Sequence, residues 1–324
     1  MNKCLITKLA SVVDDDNLRG LGEFRFTISD YDTTSSEAFY IKRTDDVDFN
    51  IIALRGNFIN SDGFDVGTIL QVPVVDKQIR AASGSILSIP CKYTITSFRF
   101  GESSTPGCIF DLNECKDMLE LTELTLSSKG LVYGNLSSLR SSSKLSNLNI
   151  KNQYNIQGDM SDLTVFSQLK TLNISGTNLK GSLLSISNIP ITNLDISNAS
   201  IDVDMSMLNE SLTRLKAYDS KLIGDIAELS RLSSLNYIDC TRTKIYGSIN
   251  NITLPPNIGT LNIISCSNVY GELETLLANQ IGLFSENKSF KLYAKGTNIT
   301  YEGSTINTGL QITFTASSYT VTTI

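Results

Sequence analysis

Apolar residues recur along this chain as a triplet, in which the first, fourth and sixth residues of a short stretch are apolar. Well-formed copies occur at Leu121-Leu124-Leu126, Leu145-Leu148-Ile150, Leu169-Leu172-Ile174, Ile191-Leu194-Ile196, Leu212-Leu215-Ala217, Leu235-Ile238-Cys240 and Ile258-Leu261-Ile263. Successive copies begin 24, 24, 22, 21, 23 and 23 residues apart, and weaker copies lie at Ile95-Phe98-Phe100 and around Leu292-Ala294. The last two apolar residues of each triplet share one face of a strand, so the pattern predicts one short β-strand per repeat.

A second signature, in which glycine lies between two apolar residues, follows most of these strands. It occurs at Leu131/Gly134/Leu136, Ile156/Gly158/Met160, Leu179/Gly181/Leu183, Leu222/Gly224/Ile226, Ile245/Gly247/Ile249 and Val269/Gly271/Leu273. The segments that lead back to the next strand carry an apolar residue at every third position, as in Ile226-Leu229-Leu232-Leu235. That spacing predicts a 3₁₀-like or extended return path rather than an α-helix.

These residues resemble the leucine-rich-repeat family, whose unit reads LxxLxLxxNxL over about 20 to 29 residues. The added LxGxI is similar to the subtype in which a second short strand follows the first. The resemblance covers residues 95–300. It implies a mainly β solenoid of about eight or nine coils, with a parallel sheet on one side and extended or 3₁₀ segments on the convex side.

One position of the repeat departs from the family pattern. The family's ladder asparagine is replaced by Thr177, Ala199, Ser220, Thr243 and Cys266. Thr, Ser and Cys side chains can still reach a neighbouring backbone group, whereas alanine cannot. We therefore expect a weak rung at Ala199.

The segments that flank the repeat have strand patterns of their own. Residues 1–94 contain runs such as EFRFTI, AFYIKR and ILQVPVV, separated by turn signals such as NSDG. This pattern predicts a small β-rich domain that attaches the protein and caps the first coil. Residues 301–324 include GLQITFTASSYTVTTI, which predicts a C-terminal β cap or a strand pair for a partner chain.

Composition and charge exclude several classes of function. The chain is 41 % apolar and has a net charge of −6, whereas a nucleic-acid partner normally requires a basic surface. It contains no histidine, which removes Ser-His and Cys-His nucleophiles, His-ligated zinc and imidazole acid–base chemistry. The 6 cysteines include no CxxC motif, so no zinc site, redox motif or cofactor is predicted, while a Cys108–Cys115 disulfide stays open.

The outward-facing residues of the predicted strands form columns on the sheet, and most of them are short and polar. The fifth and sixth coils differ because they place rings and charges on adjacent strands. We predict a binding patch there, formed by Arg214, Lys216, Tyr218, Tyr237, Asp239 and Arg242. Tyrosine and arginine are frequent anchors of protein interfaces, and tyrosine rings also stack on sugars. The alternative is a solvated face on which Lys216 pairs with Asp239 and Asp195.

Two kinds of chemical site were weighed against this binding face. Asp195 and Asp239 lie two strands apart, about 9 to 10 Å, which is near the carboxylate separation of inverting glycosidases. Lys216 between them would hold both ionised instead of raising one pKa. The acidic runs at 14–17 and 29–32 lack the spacing of a calcium loop. We therefore predict a non-enzymatic protein without a metal site.

The remaining sequence signals concern where the protein acts. No stretch approaches the roughly 20 apolar residues of a spanning helix, and MNKCLITKLASVVDDDN lacks the clean apolar core of a secretory leader. The segments MNKCLITKL…LGEFRFTI and KLIGDIAELSRLSSLNYID are similar to proteins of gut Bacteroidales and the tailed phages that infect them.

That resemblance favours a structural protein on the surface of a phage particle, because virion proteins need no leader. Its partners would be virion neighbours or a host surface receptor. The alternative is a bacterial leucine-rich-repeat adhesin or scaffold at the cell surface or in the cytoplasm. A glycan ligand and a homo-oligomer both stay open.

Overall fold

Short β-strands dominate the fold. The computed structural model describes residues 23–28, 37–43, 49–55, 58–59, 65–67, 69–72, 77–81, 86–90, 95–100, 108–126, 131–285, 287–315 and 317–324. Contacts divide the chain into two compact units, Met1–Gln157 and Gly158–Ile324. Among the described residues one segment is α-helical, α1 (Leu273–Gln280).

The N-terminal strands of the first unit pair antiparallel in two groups. They are β1 Glu23–Ile28, β2 Glu37–Arg43, β3 Phe49–Arg55, β4 Phe58–Ile59, β5 Asp65–Gly67, β6 Ile69–Val72, β7 Lys77–Ala81 and β8 Ile86–Pro90. In one group β8 pairs with β1 and β3, and β3 also pairs with β6. In the other, β7 pairs with β2 and β4, and β4 pairs with β5. The predicted β-rich N-terminal region is confirmed, and its predicted end at residue 94 stays a prediction.

The first coils of the repeat are hydrogen-bonded directly to these antiparallel strands. Six strands follow in the first unit: β9 Ile95–Phe100, β10 Cys108–Asp111, β11 Glu123–Leu126, β12 Leu131–Asn135, β13 Asn147–Asn149 and β14 Asn155–Gln157. β9 pairs antiparallel with β2 and parallel with β11, which aligns Phe98 with Leu124. β10 likewise pairs antiparallel with β1 and parallel with β12. The N-terminal strands thereby cover both open edges of the first coil.

The second unit contains one row of parallel strands and a second row beside it. The first row is β15 Thr171–Asn173, β16 Asn193–Asp195, β17 Arg214–Lys216, β19 Tyr237–Asp239, β21 Thr260–Asn262 and β23 Ser289–Tyr293. The second row is β18 Ile223–Asp225, β20 Lys244–Ser248, β22 Asn268–Glu272 and β24 Asn298–Tyr301.

The register of the first row confirms the predicted stacking of apolar residues. The central residue of each three-residue strand is paired with that of the next, from Leu172 and Leu194 through to Leu261, which is paired with Leu292 of β23. All of these central residues are at most 4 % exposed. Each strand therefore buries its apolar side chain against the neighbouring coils, and the fold is a leucine-rich-repeat solenoid.

The return segments are mainly 3₁₀ helices, as the spacing of three predicts. They span Leu112–Cys115, Leu136–Leu139, Met160–Leu163, Leu183–Ile186, Met205–Met207 and Ile226–Arg231. The exception is α1, which buries Leu273, Leu276, Leu277 and Gln280 along one helical face. Gln280 is buried because its amide bonds two backbone groups of the preceding coil, at Ile252 and Leu254. No helix in the described part of the chain is long and apolar enough to cross a membrane.

The glycine signature is explained by a contact between successive coils. Asp159 and Asp225 each cap a 3₁₀ turn by accepting a backbone N–H at 2.9 Å. A Cβ atom on Gly181 would lie 2.5 Å from Asp159 Oδ2, and one on Gly247 would lie 2.3 Å from Asp225 Oδ1. Both glycines also have positive φ, +87° and +113°. Only glycine satisfies the close approach and the backbone conformation together.

The ladder positions behave differently from the expectation at most rungs. The hydroxyls of Thr177, Ser220 and Thr243 donate to carbonyls three residues earlier, in their own coil, at 2.6 to 2.7 Å. Cys266 reaches the preceding coil, with Sγ 3.1 Å from the Cys240 carbonyl oxygen. These three hydroxyls therefore close the turns of their own coils. Cys115, Cys240 and Cys266 are free and buried, so a Cys108–Cys115 disulfide is not formed.

The predicted C-terminal strand pair extends the first row. After β25 Ser304–Thr305, strand β26 Gly309–Phe314 pairs antiparallel with β23, and β27 Tyr319–Thr323 pairs with β26. Phe284 and Phe314 pack edge to face with ring centroids 4.8 Å apart. The strands β26 and β27 thus cover the open edge of β23, the last parallel strand. That the cap begins at residue 301 stays a prediction.

Removing one stacked side chain should destabilise the solenoid far more than removing an exposed one. We expect Leu172→Ala to lower the free energy of unfolding by about 2 to 5 kcal/mol, because it leaves a cavity between two coils. The matched control is Leu184→Ala, since Leu184 is 61 % exposed, and its effect should stay within about 0.5 kcal/mol. Urea denaturation followed by circular dichroism measures both, and equal effects would contradict the stacking.

Candidate functional site

The predicted patch lies on the outward face of the first row of strands in the second unit. β17 and β19 are adjacent and parallel, and their register pairs Arg214 with Tyr237 and Lys216 with Asp239. The alternate residues of both strands are buried in the core, so these four side chains point outward. The fold therefore brings four of the six predicted residues onto neighbouring strands.

Arg214 stacks on the ring of Tyr237. The guanidinium carbon lies 3.8 Å from the ring centroid, well within the range of a cation–π interaction. Burial raises the pKa of Tyr237, the carboxylate of Asp239 raises it further, and the charge of Arg214 opposes the rise. The stack holds the exposed guanidinium over the Tyr237 ring, on the outward face of the sheet.

Lys216 lies between two carboxylates without an ion pair to either. The register places it beside Asp195 on one strand and Asp239 on the other, as the alternative interpretation requires. Among the described residues, however, the ion pairs do not include Lys216. Its ammonium group is consequently available to a ligand.

The two carboxylates beside Lys216 have a structural role of their own. Asp195 Oδ1 accepts the backbone N–H of Ser197 at 3.1 Å, and Asp239 Oδ1 accepts that of Thr241 at 3.0 Å. Asn173 does the same for Ser175. These bonds form Asx turns that end the strands, so one oxygen of each aspartate is committed to the backbone. This role was not predicted from the sequence. The signal that could have indicated it is the Asp or Asn at the last position of each strand, whose side chain accepts the backbone N–H two residues later.

Arg242 and Tyr218 lie beyond the ends of the strands. Arg242 forms a bidentate ion pair with Asp219, and its Nε is 2.6 Å from Oδ1. Both residues have positive φ, 56° and 54°, a conformation that costs energy in a residue other than glycine. The Arg242 guanidinium holds the pKa of Asp219 below its usual range. Tyr218 is half-buried just after β17.

Tyr293 is a member of the face that the sequence columns missed. Tyr293 lies on β23, where it pairs with Asn262 of the adjacent strand β21. Its nearby phenol contributes to the raised pKa of Tyr237. The repeat around Leu292 is too weak in sequence for its outward residues to be assigned. The structure thus places a further aromatic ring on the same face, two strands along the row from Tyr237.

The described residues contain no group of three or more Cys, Asp or Glu side chains that could hold a metal ion. The acidic runs at 14–17 and 29–32, which were weighed as calcium loops, lie outside the described residues. What the face offers chemically is therefore two cations, aromatic rings and short polar groups on a hydrogen-bonded sheet.

Comparisons with known proteins bear on the fold alone. No protein-family model and no curated protein matches the chain. Solved structures that match include the leucine-rich-repeat ectodomain of the plant receptor kinase GASSHO1/SCHENGEN3 from Arabidopsis thaliana, at 15 % identity and a TM-score of 0.45, covering 63 % of this chain and 24 % of that one. A leucine-rich-repeat protein of Leptospira interrogans matches at 15 % identity and a TM-score of 0.40, covering 58 % and 52 %.

A third match is an internalin of Listeria monocytogenes, at 14 % identity and a TM-score of 0.32, covering 63 % of this chain and 82 % of that one. The chain spans well under half of several matched receptor structures, namely 24 %, 43 % and 33 % of three of them. The assignment of the fold rests on the strand register and the burial described above.

The Asp219–Arg242 ion pair predicts a pH-dependent difference in stability. The lowered pKa of Asp219 means that its carboxylate stabilises the folded chain above the ordinary pKa of about 3.9. That contribution is lost as the pH falls through the lower folded value. Asp219→Asn removes the ion pair but keeps a residue that tolerates positive φ. Because the pair is exposed, we expect the melting temperature of the variant to lie below that of the wild type by no more than about 2 °C at neutral pH.

The difference should shrink as the pH falls below the ordinary aspartate pKa of about 3.9, because the wild-type carboxylate is then progressively protonated. Asp202→Asn is the control, because the Asp202 carboxylate is exposed and lies 3.7 Å from Lys221 Nζ in a looser pair. Scanning calorimetry of the three proteins measures the difference. A gap between wild type and Asp219→Asn that persists in acid would show that the ion pair is not its source.

Proposed function

We propose that this protein is a non-enzymatic binding protein and that the outward face of its first strand row contacts a protein partner. The proposal rests on one observation: Arg214 is stacked on Tyr237 at 3.8 Å, with the uncommitted Lys216 two residues away on the same strand. Arginine and tyrosine dominate the contact energy of many protein interfaces. We define the binding patch as Arg214, Lys216, Tyr218, Tyr237, Asp239 and Arg242.

Rigidity of the patch supports this use. Four of the six residues lie on strands whose register is held by hydrogen bonds on both sides, and the Asx turns fix where the strands end. A pre-ordered surface loses little conformational entropy when it binds. Arg214 and Lys216 make no ion pair with another described residue, so these two cations would favour partners that present acidic groups.

The state of the two aspartates supports binding over catalysis. Asp195 and Asp239 each commit one oxygen to a backbone N–H, and a lysine lies between them in the register. Both carboxylates therefore serve as caps that end their strands, which gives them a structural role in the sheet.

We further propose that the protein acts on the surface of a bacteriophage particle, in a head or tail component, where it meets virion neighbours or a host receptor. The support is the resemblance of its segments to proteins of gut Bacteroidales and their phages. The alternative is a bacterial leucine-rich-repeat adhesin or scaffold. Mass spectrometry of purified particles tests the first setting, and absence of the chain from particles whose genome encodes it would contradict it.

The binding patch predicts a loss of adsorption or partner capture in defined variants. Tyr218→Ala/Tyr237→Ala/Arg242→Ala, and separately Arg214→Ala/Tyr237→Ala, should weaken binding at least about tenfold, because they remove the aromatic and arginine anchors. The measurement is adsorption of the labelled chain to host cells and cross-linking to particle proteins.

The matched control is Tyr133→Ala/Lys151→Ala, which removes one exposed ring and one exposed cation from the first unit. It should bind like the wild type. Circular dichroism establishes that each variant is folded. Undiminished binding by both folded patch variants would remove the patch from the account.

A further inference from the structure

A cleft lies on the second strand row, away from the binding patch. Its volume is about 450 Å³, within the range of small-molecule sites. It is formed by β18, β20 and β22 together with the turn after β20. The residues that define its chemistry are Asp225, Tyr246, Ser248, Asn251, Asn268 and Tyr270. We call this site the tyrosine cleft.

Two exposed tyrosines form its walls. Tyr246 and Tyr270 are 50 % and 54 % exposed, and each follows a buried β-branched residue and precedes a glycine. The register pairs Tyr246 with Asn268 and Ser248 with Tyr270, so the rings are offset by two residues on adjacent strands. From the strand spacing and rise, their Cα atoms are roughly 8 Å apart. A six-membered ring can lie across two such side chains.

The third strand contributes a carboxylate to the floor of the cleft. Gly247 follows Tyr246, and a Cβ atom on Gly247 would lie 2.3 Å from Asp225 Oδ1. The Asp225 carboxylate can therefore lie against this strand only because residue 247 has no side chain. Oδ1 is held by the backbone N–H of Ala227 at 2.9 Å. The second oxygen, Oδ2, is thereby oriented and left as an acceptor.

The remaining polar groups are amides and hydroxyls. Among the described residues, the side chains of Asn251 and Asn268 make no hydrogen bond within the protein, so their donors and acceptors are open to a ligand. No lysine or arginine lines the cleft. A carboxylate without a cation disfavours anionic ligands, while amides, hydroxyls and one carboxylate suit a ligand with many neutral hydroxyl groups.

We propose that the tyrosine cleft binds a neutral carbohydrate. The apolar face of a pyranose ring packs on Tyr246 and Tyr270. Its hydroxyl groups donate to Asp225 Oδ2 and exchange hydrogen bonds with the amides of Asn251 and Asn268. This proposal does not depend on the binding patch, which lies on the other row of strands.

The test measures binding of neutral trisaccharides to the full chain. Maltotriose, cellotriose, mannotriose and chitotriose serve as probes, and sialyllactose is the anionic comparison, with calorimetry and saturation-transfer NMR as the measurements. We expect at least one neutral trisaccharide to bind. Tyr246→Ala/Tyr270→Ala should weaken that affinity at least about tenfold, and Tyr246→Phe/Tyr270→Phe should keep it within about threefold, since the rings remain.

The matched control is Tyr133→Ala. Tyr133 also precedes a glycine, in β12 of the first unit, and is 42 % exposed, but the strands on either side of it, β10 and β14, contain no tyrosine. It should bind the trisaccharide like the wild type. The proposal is overturned if none of the neutral probes binds or if only sialyllactose binds. It is also overturned if the folded Tyr246→Ala/Tyr270→Ala variant binds like the wild type, or if Tyr133→Ala weakens binding as much as that variant does.

Discussion

Every coil of this solenoid depends on its neighbours to bury its apolar residues. A strand of three residues such as Arg214–Lys216 has one central apolar side chain and no core of its own. Leu215 is buried because Leu194 and Ile238 lie in register on either side. The row must therefore be parallel and in register, since a slip of one residue would expose the whole apolar set. The outward columns, and the patch that they form, follow from the same constraint.

Besides the strand pairing, a second contact joins successive coils, between a capping side chain and the glycine of the next coil. Asp225 closes a 3₁₀ turn and is covered by Gly247, as Asp159 is covered by Gly181. The structural role and the proposed ligand role of Asp225 are linked, because the capping bond orients the carboxylate that faces the tyrosine cleft. The binding patch and the tyrosine cleft thus depend on different contacts, and we expect that each can be altered by mutation without the other.

The triplets predicted the parallel row, because period-two alternation within three residues already defines which side chain is buried. The spacing of three predicted the 3₁₀ segments, and failed at α1, where Leu276 and Leu277 follow helical spacing. The adjacency of Arg214 and Tyr237 could also be predicted from the repeat. Three features depend on rotamers and on the register between neighbouring strands, which the repeat does not encode. They are the stacking of Arg214 on Tyr237, the Asx turns of Asp195 and Asp239, and the offset that brings Tyr246 near Tyr270.

The central claim is that neighbouring coils stabilise one another, and hydrogen exchange of Leu215→Ala tests it most directly. The account predicts faster amide exchange in β17 and also in β16 and β19, with β23, farther along the row, affected least. Mass spectrometry of the exchanged peptides resolves these strands. Acceleration confined to residues 214–216, with both neighbours unchanged, would contradict the account.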